Sequence, residues 1–388
     1  MGFTVMTPYP PTFPGLMKKN RSPKFAVATA CALLSAACSQ TGPVQPYAED
    51  AKVECVGKPS LTASGSTAQA SAMTHFIKAY RNACPDKNLD YTPNGSGVGI
   101  QEFISGKTDF GNSDSPLQGA EFDAAKKRCG GSEALNIPMV FGPIAITYNL
   151  PDVDVLILDG PTLAGIFSGA ITRWDDPAIS ALNLPGGRAH PNPRTAMPAM
   201  DIRVVHRGDQ SGTTDNFQQY LQAASGGVWT RGAGKTFNGG VGEEGTGNQG
   251  TAEMVKNTPG AISYNEWSFA IDQGLSTADI QTPAGVTHIG ADWIGASVEP
   301  VKITGEGNNL VLDLTPAYQP TAKFGYPIIL AGYAVVCARY PAAETGKAVK
   351  AFLQSAVTVG QTDLNKVGYI PLPTEFQARV ASAVNSIE

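Results

Sequence analysis

Ser60-Leu61-Thr62-Ala63-Ser64-Gly65-Ser66-Thr67 reads as a short strand, Ser60 to Ala63, that runs into a hydroxyl-rich glycine turn. Met73, Phe76, Ile77 and Tyr80 follow at helical spacing. The same unit comes again at once: a strand over Asn88 to Thr92, the turn Asn94-Gly95-Ser96-Gly97, and a helix over Val98 to Ser105. A third strand over Thr108 to Gly111 then leads to Asp114. Strands alternating with helices predict a parallel sheet with helices on both faces. Ligands of such sheets bind beyond the carboxyl ends of the strands, where Thr67, Ser96 and Asp114 all fall.

A third turn of this design, Asp209-Gln210-Ser211-Gly212-Thr213, lies far downstream and precedes Phe217, Tyr220 and Leu221 at helical spacing. Hydroxyls, free amides and the positive end of a helix dipole all favour an anion, phosphate most readily. One such turn is ordinary helix capping, since Ser and Thr are preferred caps. Three of them, with Arg207 beside the last, point to one oxyanion held by segments distant in sequence.

The remaining sequence bounds the setting of that site. A chain of 388 residues is long enough for two domains. Its 42% hydrophobic and 16% charged residues are those of a globular protein. The net charge of −5 offers no basic surface for nucleic acid, so an anion must be held by local dipoles and a few placed cations. Lys18, Lys19, Arg21 and Lys24 precede a small apolar run from Ala26 to Ala37, too short to span a bilayer at about 20 residues and matching an export signal. This predicts a signal peptide over 1–37, with Met17 as the true start. Leu34-Ser35-Ala36-Ala37-Cys38 resembles a lipobox, with Ser35 in the place where Leu is expected, so Cys38 is a candidate lipidated residue; cleavage after Ala37 without lipidation is the alternative. Residues 38–56 then read as a tether to the membrane surface. Four further cysteines, Cys55, Cys84, Cys129 and Cys337, allow three pairings in an exported chain. Cys55 precedes the first strand and Cys84 ends the helix returning from it, which favours Cys55–Cys84 and Cys129–Cys337. The chain has no C-x-x-C, no H-E-x-x-H and scattered histidines, so neither a metal nor a cofactor is expected.

Two long apolar segments, Asn136 to Asn149 and Tyr326 to Ala338, bracket a central block and read as crossings between two lobes. Within the block, Asp176-Pro177 is a cap followed by proline at the first helical position. Residues 226–251 are Gly-rich and read as an ordered loop, or a lid, before a helix over Ala252 to Lys256. The tail carries one more amphipathic helix, with Val349, Phe352, Leu353 and Val357.

Asp114 gives the site its chemical identity. A carboxylate beside an anion is repulsive, by up to roughly 4 kcal/mol at 4 Å and an effective dielectric of 20. The sign reverses when the anion carries a proton that the carboxylate can accept. Phosphate is protonated near neutral pH and sulfate is not, so one aspartate admits the first and rejects the second. Arg207 offers a planar fork suited to phosphate, and Asp209 is placed to orient it. Other motifs fail. Trp229 stands where the first glycine of a phosphate-binding loop ending Gly234-Lys235-Thr236 is required, and neither Ser96 nor Ser211 sits in a nucleophile elbow.

Leu61 to Thr67, Gly95-Ser96-Gly97-Val98-Gly99, Thr108 to Asp114 and Arg207 to Thr213 together resemble the phosphate-binding segments of the PstS family, receptors of a high-affinity phosphate ABC importer. Ile166 to Ile179 and Pro259-Gly260-Ala261-Ile262-Ser263-Tyr264 resemble further hallmarks, and the likeness runs from about residue 58 to 373. It implies an α/β, two-lobed periplasmic-binding-protein fold of type II, each lobe a mostly parallel sheet flanked by helices, with two crossover strands at the hinge. Lobe I would be 57–147 plus 327–388, and lobe II 148–326. It implies phosphate contacts at Thr67, Ala68 (by its amide), Ser96, Asp114, Arg207, Ser211, Gly212 and Thr213, supported by Ser66 and Asp209. The implied partners are inorganic phosphate, the permease and ATPase subunits of an importer, and the membrane through an N-terminal lipid, for a monomeric receptor on the outer face of the cytoplasmic membrane. Gln210 stands where glycine is common in the family, and Ala68 where some members have Phe. Two other readings remain: a secreted phosphatase-like hydrolase, for which His206 is the only histidine near a candidate ligand in sequence, and a receptor for another oxyanion.

Overall fold

In the computed structural model, residues 53–183, 196–290, 295–321 and 325–388 are described. The predicted signal segment, Met17 and Cys38 lie outside them, as does Trp293.

The opening stretch forms β1 (Ser60–Gly65), a single 3-10 turn and then α1 (Ala70–Ala83). α1 exists because Ala72, Met73, Phe76 and Tyr80 share a face and bury it against the sheet and the helix that carries Phe352. β2 (Asn88–Pro93), α2 (Ser96–Ile104) and β3 (Phe110–Ser113) complete the repeat. β3 starts two residues later than expected. Asp109 is turned out of the strand pattern, because its carboxylate accepts from the Thr62 amide at 2.7 Å and pairs with Lys58 at 2.5 Å.

Further along come β4 (Ala134–Tyr148), β5 (Arg203–Arg207), α3 (Gly212–Ala224), β6 (Glu243–Gly245), α4 (Gly247–Asn257), β7 (Ala261–Glu266), β8 (Ile329–Cys337), α5 (Ala343–Val357) and α6 (Thr374–Asn385). The main sheet runs β2-β1-β3-β8-β4-β7-β5-β6. Its two ends are parallel: β1 with β2 and β3, and β5 with β6 and β7. The middle is antiparallel. β8 pairs with β3 and β4, and β4 gives Ala134–Pro143 to β8 and Ile144–Tyr148 to β7. The two long apolar segments are therefore neighbours that join the parallel ends. β4 and β8 are buried along their whole length, which is why both read as unbroken apolar runs.

Two expectations are corrected. α4 begins at Gly247, five residues before Ala252. Gly247 and Gly250 lower the helix signal, but Asn265 holds the first turn by donating to Asn248 O at 3.2 Å and Thr251 Oγ1 at 2.7 Å. The tail carries two helices, α5 and α6, where one was expected; Phe376, Val380, Ala383 and Val384 give α6 its packed face. The favoured disulfides, Cys55–Cys84 and Cys129–Cys337, are both formed. The second ties β8 to the residue after the helix Ala120–Arg128, across 208 residues of chain. No helix among the described residues is long and apolar enough to cross a membrane.

Candidate functional site

Each parallel strand of the first end delivers one turn to a common place. After β1, Ser66 caps the 3-10 turn by accepting from the Ala68 amide at 3.0 Å, and its hydroxyl donates to Asp114 Oδ2 at 2.6 Å. After β2, Gly95 takes φ +102°, where a Cβ would lie 2.7 Å from Asp209, and Ser96 begins α2. After β3, Asp114 is buried, and Ser96 Oγ accepts from its amide at 3.3 Å.

The other end answers with the turn after β5. Ser211 caps α3, accepting from the Thr214 amide at 3.2 Å, while its own amide donates to Lys235 O at 2.8 Å. The Gly212 amide donates to Ser96 Oγ at 3.1 Å, and the Thr213 hydroxyl to Asp114 Oδ2 at 3.4 Å. Gly212 cannot be replaced without movement, because a Cβ there would lie 2.7 Å from that of Asp114. The N-terminus of α3 thus abuts a carboxylate, a favourable pairing of dipole and charge. Thr67, Ala68, Ser96, Asp114, Arg207, Ser211, Gly212 and Thr213 are all buried, and hydrogen bonds connect the two groups of turns.

Arg207 lies on the inner face of β5 with its side chain 1% exposed. Its amide donates to Tyr264 Oη at 3.3 Å, which fixes the backbone. Nε donates to Asp209 Oδ1 at 2.7 Å, and Nη2 to Asp209 Oδ2. Nη1 is buried and has no hydrogen-bond partner among the described residues. A guanidinium tied on one edge and unsatisfied on the other can accept one anion, since an unmade hydrogen bond on a buried charged group costs more than a surface one.

The two carboxylates titrate in opposite directions. Burial pushes Asp114 above the usual aspartate range, outweighing the donors Ser66, Gln69 and Thr213 and the charge of Arg207. Burial also acts on Asp209, but the hydrogen bonds and charge of Arg207 win there and hold it low. Asp209 is a fixed counter-charge, while Asp114 is an acceptor that tolerates a proton nearby.

Sequence reasoning missed three contributors. Gln69 Nε2 donates to Asp114 Oδ1 at 3.1 Å, reaching it over Gly332, where a Cβ would meet Gln69 at 2.8 Å. Asn248, in the first turn of α4, donates its amide and its side chain to Thr67 Oγ1 at 3.2 and 3.0 Å. Tyr369 donates to Ala68 O at 2.7 Å. Tyr369 belongs to no turn-and-glycine pattern; Gln69 closes the turn after Gly65 and Asn248 follows Thr246-Gly247, but neither side chain is a hydroxyl or a charge that the pattern singles out. The Gly-rich segment is an anchored loop: Gln218 Nε2 donates to Gly234 O at 2.9 Å and Thr236 O at 3.0 Å. His206 is no base for Ser211, because its ring stacks on Phe237 at 4.3 Å and its Nδ1 faces Arg207 O at 3.1 Å.

The chain matches the PBP superfamily domain over residues 40–357. It is 52% identical over 383 residues to the phosphate-binding protein PstS 3 of Mycobacterium tuberculosis, an alignment covering 96% of this chain and 100% of that one. This chain belongs to the PstS family. A second PstS relative, phosphate-binding protein PstS 2 of the same organism, is 49% identical over 339 residues, covering 86% of this chain and 89% of its own. A solved high affinity periplasmic phosphate-binding protein, PfluDING bound with phosphate, superposes with a TM-score of 0.65 at 21% identity, covering 84% of this chain and 93% of that chain. At that identity the likeness concerns the fold, which is the mixed α/β periplasmic-binding-protein architecture described above for the PstS chain.

Proposed function

We propose that this chain is an extracytoplasmic receptor that captures inorganic phosphate and hands it to an ABC permease and its ATPase. The observation that carries the reading is the unsatisfied, buried Nη1 of Arg207. It lies on a side chain whose other nitrogens are held by Asp209, in a site where Asp114 can accept a hydrogen bond from a protonated ligand. Membership of the PstS family supports the same assignment.

In this reading residues 57–147 plus 327–388 and residues 148–326 are two lobes hinged at β4 and β8. Thr67, the Ala68 amide, Ser96 and Asp114 come from the first lobe; Arg207, Ser211, Gly212 and Thr213 come from the second. Several of these donors are engaged within the protein: the Gly212 amide with Ser96 Oγ, the Ala68 amide with Ser66 Oγ, and the Thr213 hydroxyl with Asp114. Phosphate would exchange these bonds for its own oxygens, with Asp114 accepting a hydrogen bond from the proton that stays on the ligand. Donors held by the fold stabilise a bound ground state, and no group here is placed to activate a nucleophile, so the site binds and releases without chemistry. The chain would be exported through a signal peptide over 1–37 and anchored by a lipid on Cys38.

Calorimetry of the mature protein with phosphate and with sulfate tests the assignment. Phosphate should bind with sulfate weaker by at least about 100-fold, the discrimination expected of one misplaced charge at partly buried distance. Equal binding of both anions would remove the role given to Asp114.

A further inference from the structure

Behind the Thr67–Ala68 turn lies Glu266, the last residue of β7, completely buried and with no part in the contacts assigned to phosphate. Its amide donates to Asn248 Oδ1 at 2.9 Å, the same Asn248 that holds Thr67. Its carboxyl meets the Ser268 amide at 3.1 Å, the Ser268 hydroxyl, and Tyr369 Oη at 3.3 Å. Tyr369 is in turn 2.7 Å from Ala68 O.

Counting protons decides how this cluster is arranged. Tyr369 has one hydrogen, and Ala68 O, a carbonyl, can only accept. The shorter contact therefore takes the tyrosine's hydrogen, so the contact from Glu266 to Tyr369 Oη lacks a hydrogen unless Glu266 supplies it. The titratable and charged groups facing Glu266 are Asp114, which opposes its ionisation, and Tyr369, which burial holds in its phenol form. Neither Ser268 nor Ser71 adds a charge: the Ser268 hydroxyl lies 3.5 Å from both Ser71 Oγ and Tyr369 Oη, longer than either contact counted above.

We infer that Glu266 is a positioning residue that carries its proton when the site is competent: as a neutral acid it donates to Tyr369, which holds the Ala68 carbonyl, and its ionisation would place a second uncompensated carboxylate behind the anion turn. The inference rests on the phosphate reading only for its effect on affinity. Burial, aided by the charge of Asp114, outweighs the Ser268 hydrogen bonds and raises the Glu266 carboxyl to about 8, so the proton is present at neutral pH and lost in mild alkali.

Two measurements test it, one without ligand. Infrared difference spectra between the wild type and Glu266→Gln should show a protonated-carboxyl band at neutral pH that fades as the wild type is taken to about pH 9.5, past the group's ionisation. Absence of that band would overturn the inference whatever the protein binds. In the second, the ratio of wild-type to Glu266→Gln phosphate dissociation constants should rise about tenfold between neutral pH and about pH 9.5, within the usual range for coupled sites. Using the ratio cancels the ligand's own titration. A ratio independent of pH would leave Glu266 a structural residue and overturn its link to the site. Failure of the wild type to bind phosphate at neutral pH would instead sink the functional reading and leave the infrared result to judge Glu266. Tyr369→Phe sharpens the proton count: it removes the acceptor of the neutral acid, so the band should fade at lower pH. A shift to higher pH would mean that Tyr369 donates to a carboxylate, contrary to the arrangement inferred.

Discussion

The two parallel ends of the sheet bring unlike chemistry to one place. The first end, through the turns after β1, β2 and β3, supplies hydroxyls and one carboxylate, Asp114, whose two oxygens already accept from Ser66, Gln69 and Thr213. The second, through the turn after β5, supplies a helix N-terminus and one guanidinium, Arg207, satisfied on one edge only. One end is an acceptor with its donors in place; the other is a cation with a vacancy. On the proposed reading, attraction would reside mainly in the second end and discrimination in the first, and each could be removed separately.

The largest effect should come from the cation. Arg207→Ala removes the charge and leaves the half-buried Asp209 with only the Gly247 amide, so phosphate affinity should fall on the order of 10²–10³-fold, the usual cost of truncating one partner of a desolvated charge pair. Sulfate and phosphate should lose affinity alike, because Arg207 sees only negative charge. A calorimetric loss confined to phosphate would mean that Arg207 reads the ligand's proton state, and the division between the two ends would collapse.

Asp114→Asn attacks the other side. It should weaken phosphate by about 10–100-fold and strengthen sulfate, since the carboxylate's repulsion, up to roughly 4 kcal/mol at close range, is gone. Competition between the two anions reads this directly. If the preference survives unchanged, Asp114 only supports Ser66 and Gln69.

How much of this could be read from the sequence follows the same division. The first end is legible because one strand–turn–helix unit occurs twice in succession and a third strand leads straight to Asp114, and the glycines mark backbone approaches: Gly95 at φ +102° beside Asp209, for instance. Arg207 and Ser211 were legible because they share that local grammar. Asn248 was not. It sits in a Gly-rich segment whose helix is stabilised by Asn265 and Glu266 from β7, contacts made across sequence that leave no periodic trace. Gln69 is a neutral polar residue that no sequence pattern singles out, and only the fold shows that Gly332 leaves room for it on the way to Asp114. The missed helix α6 is a different case, since Phe376, Val380, Ala383 and Val384 do carry the helical period.

Asn248→Ala probes this hidden contribution. It deprives Thr67 Oγ1 of the side-chain donor and the Glu266 amide of its acceptor, while the Asn248 backbone amide still reaches Thr67. A loss of about 1–2 kcal/mol, or roughly 5–30-fold in phosphate affinity, follows from one neutral hydrogen bond and one orphaned buried amide. No change in affinity would make Asn248 a helix-start residue alone.

The smallest effect concerns how the ends are kept together rather than what they bind. Glu121, in the helix after the Asp114 turn, pairs with Lys235 at 2.6 Å, and Lys235 also lends its carbonyl to the Ser211 amide. Their side chains are 21% and 11% exposed, so the pair is neither a screened surface contact nor a fully desolvated one. Its coupling should be about 1 kcal/mol, between those limits. A double-mutant cycle with Glu121→Gln and Lys235→Met isolates that term from the losses of each side chain. If the pair acts only once the two ends meet around the ligand, each variant should speed phosphate release about two- to fivefold and leave the association rate nearly unchanged, because rate effects of such contacts fall on dissociation. Added salt should narrow the difference only slightly, since burial shields the pair from screening. A change confined to association would instead assign Glu121 and Lys235 to steering the anion inward, and the bond between them would be incidental to holding it.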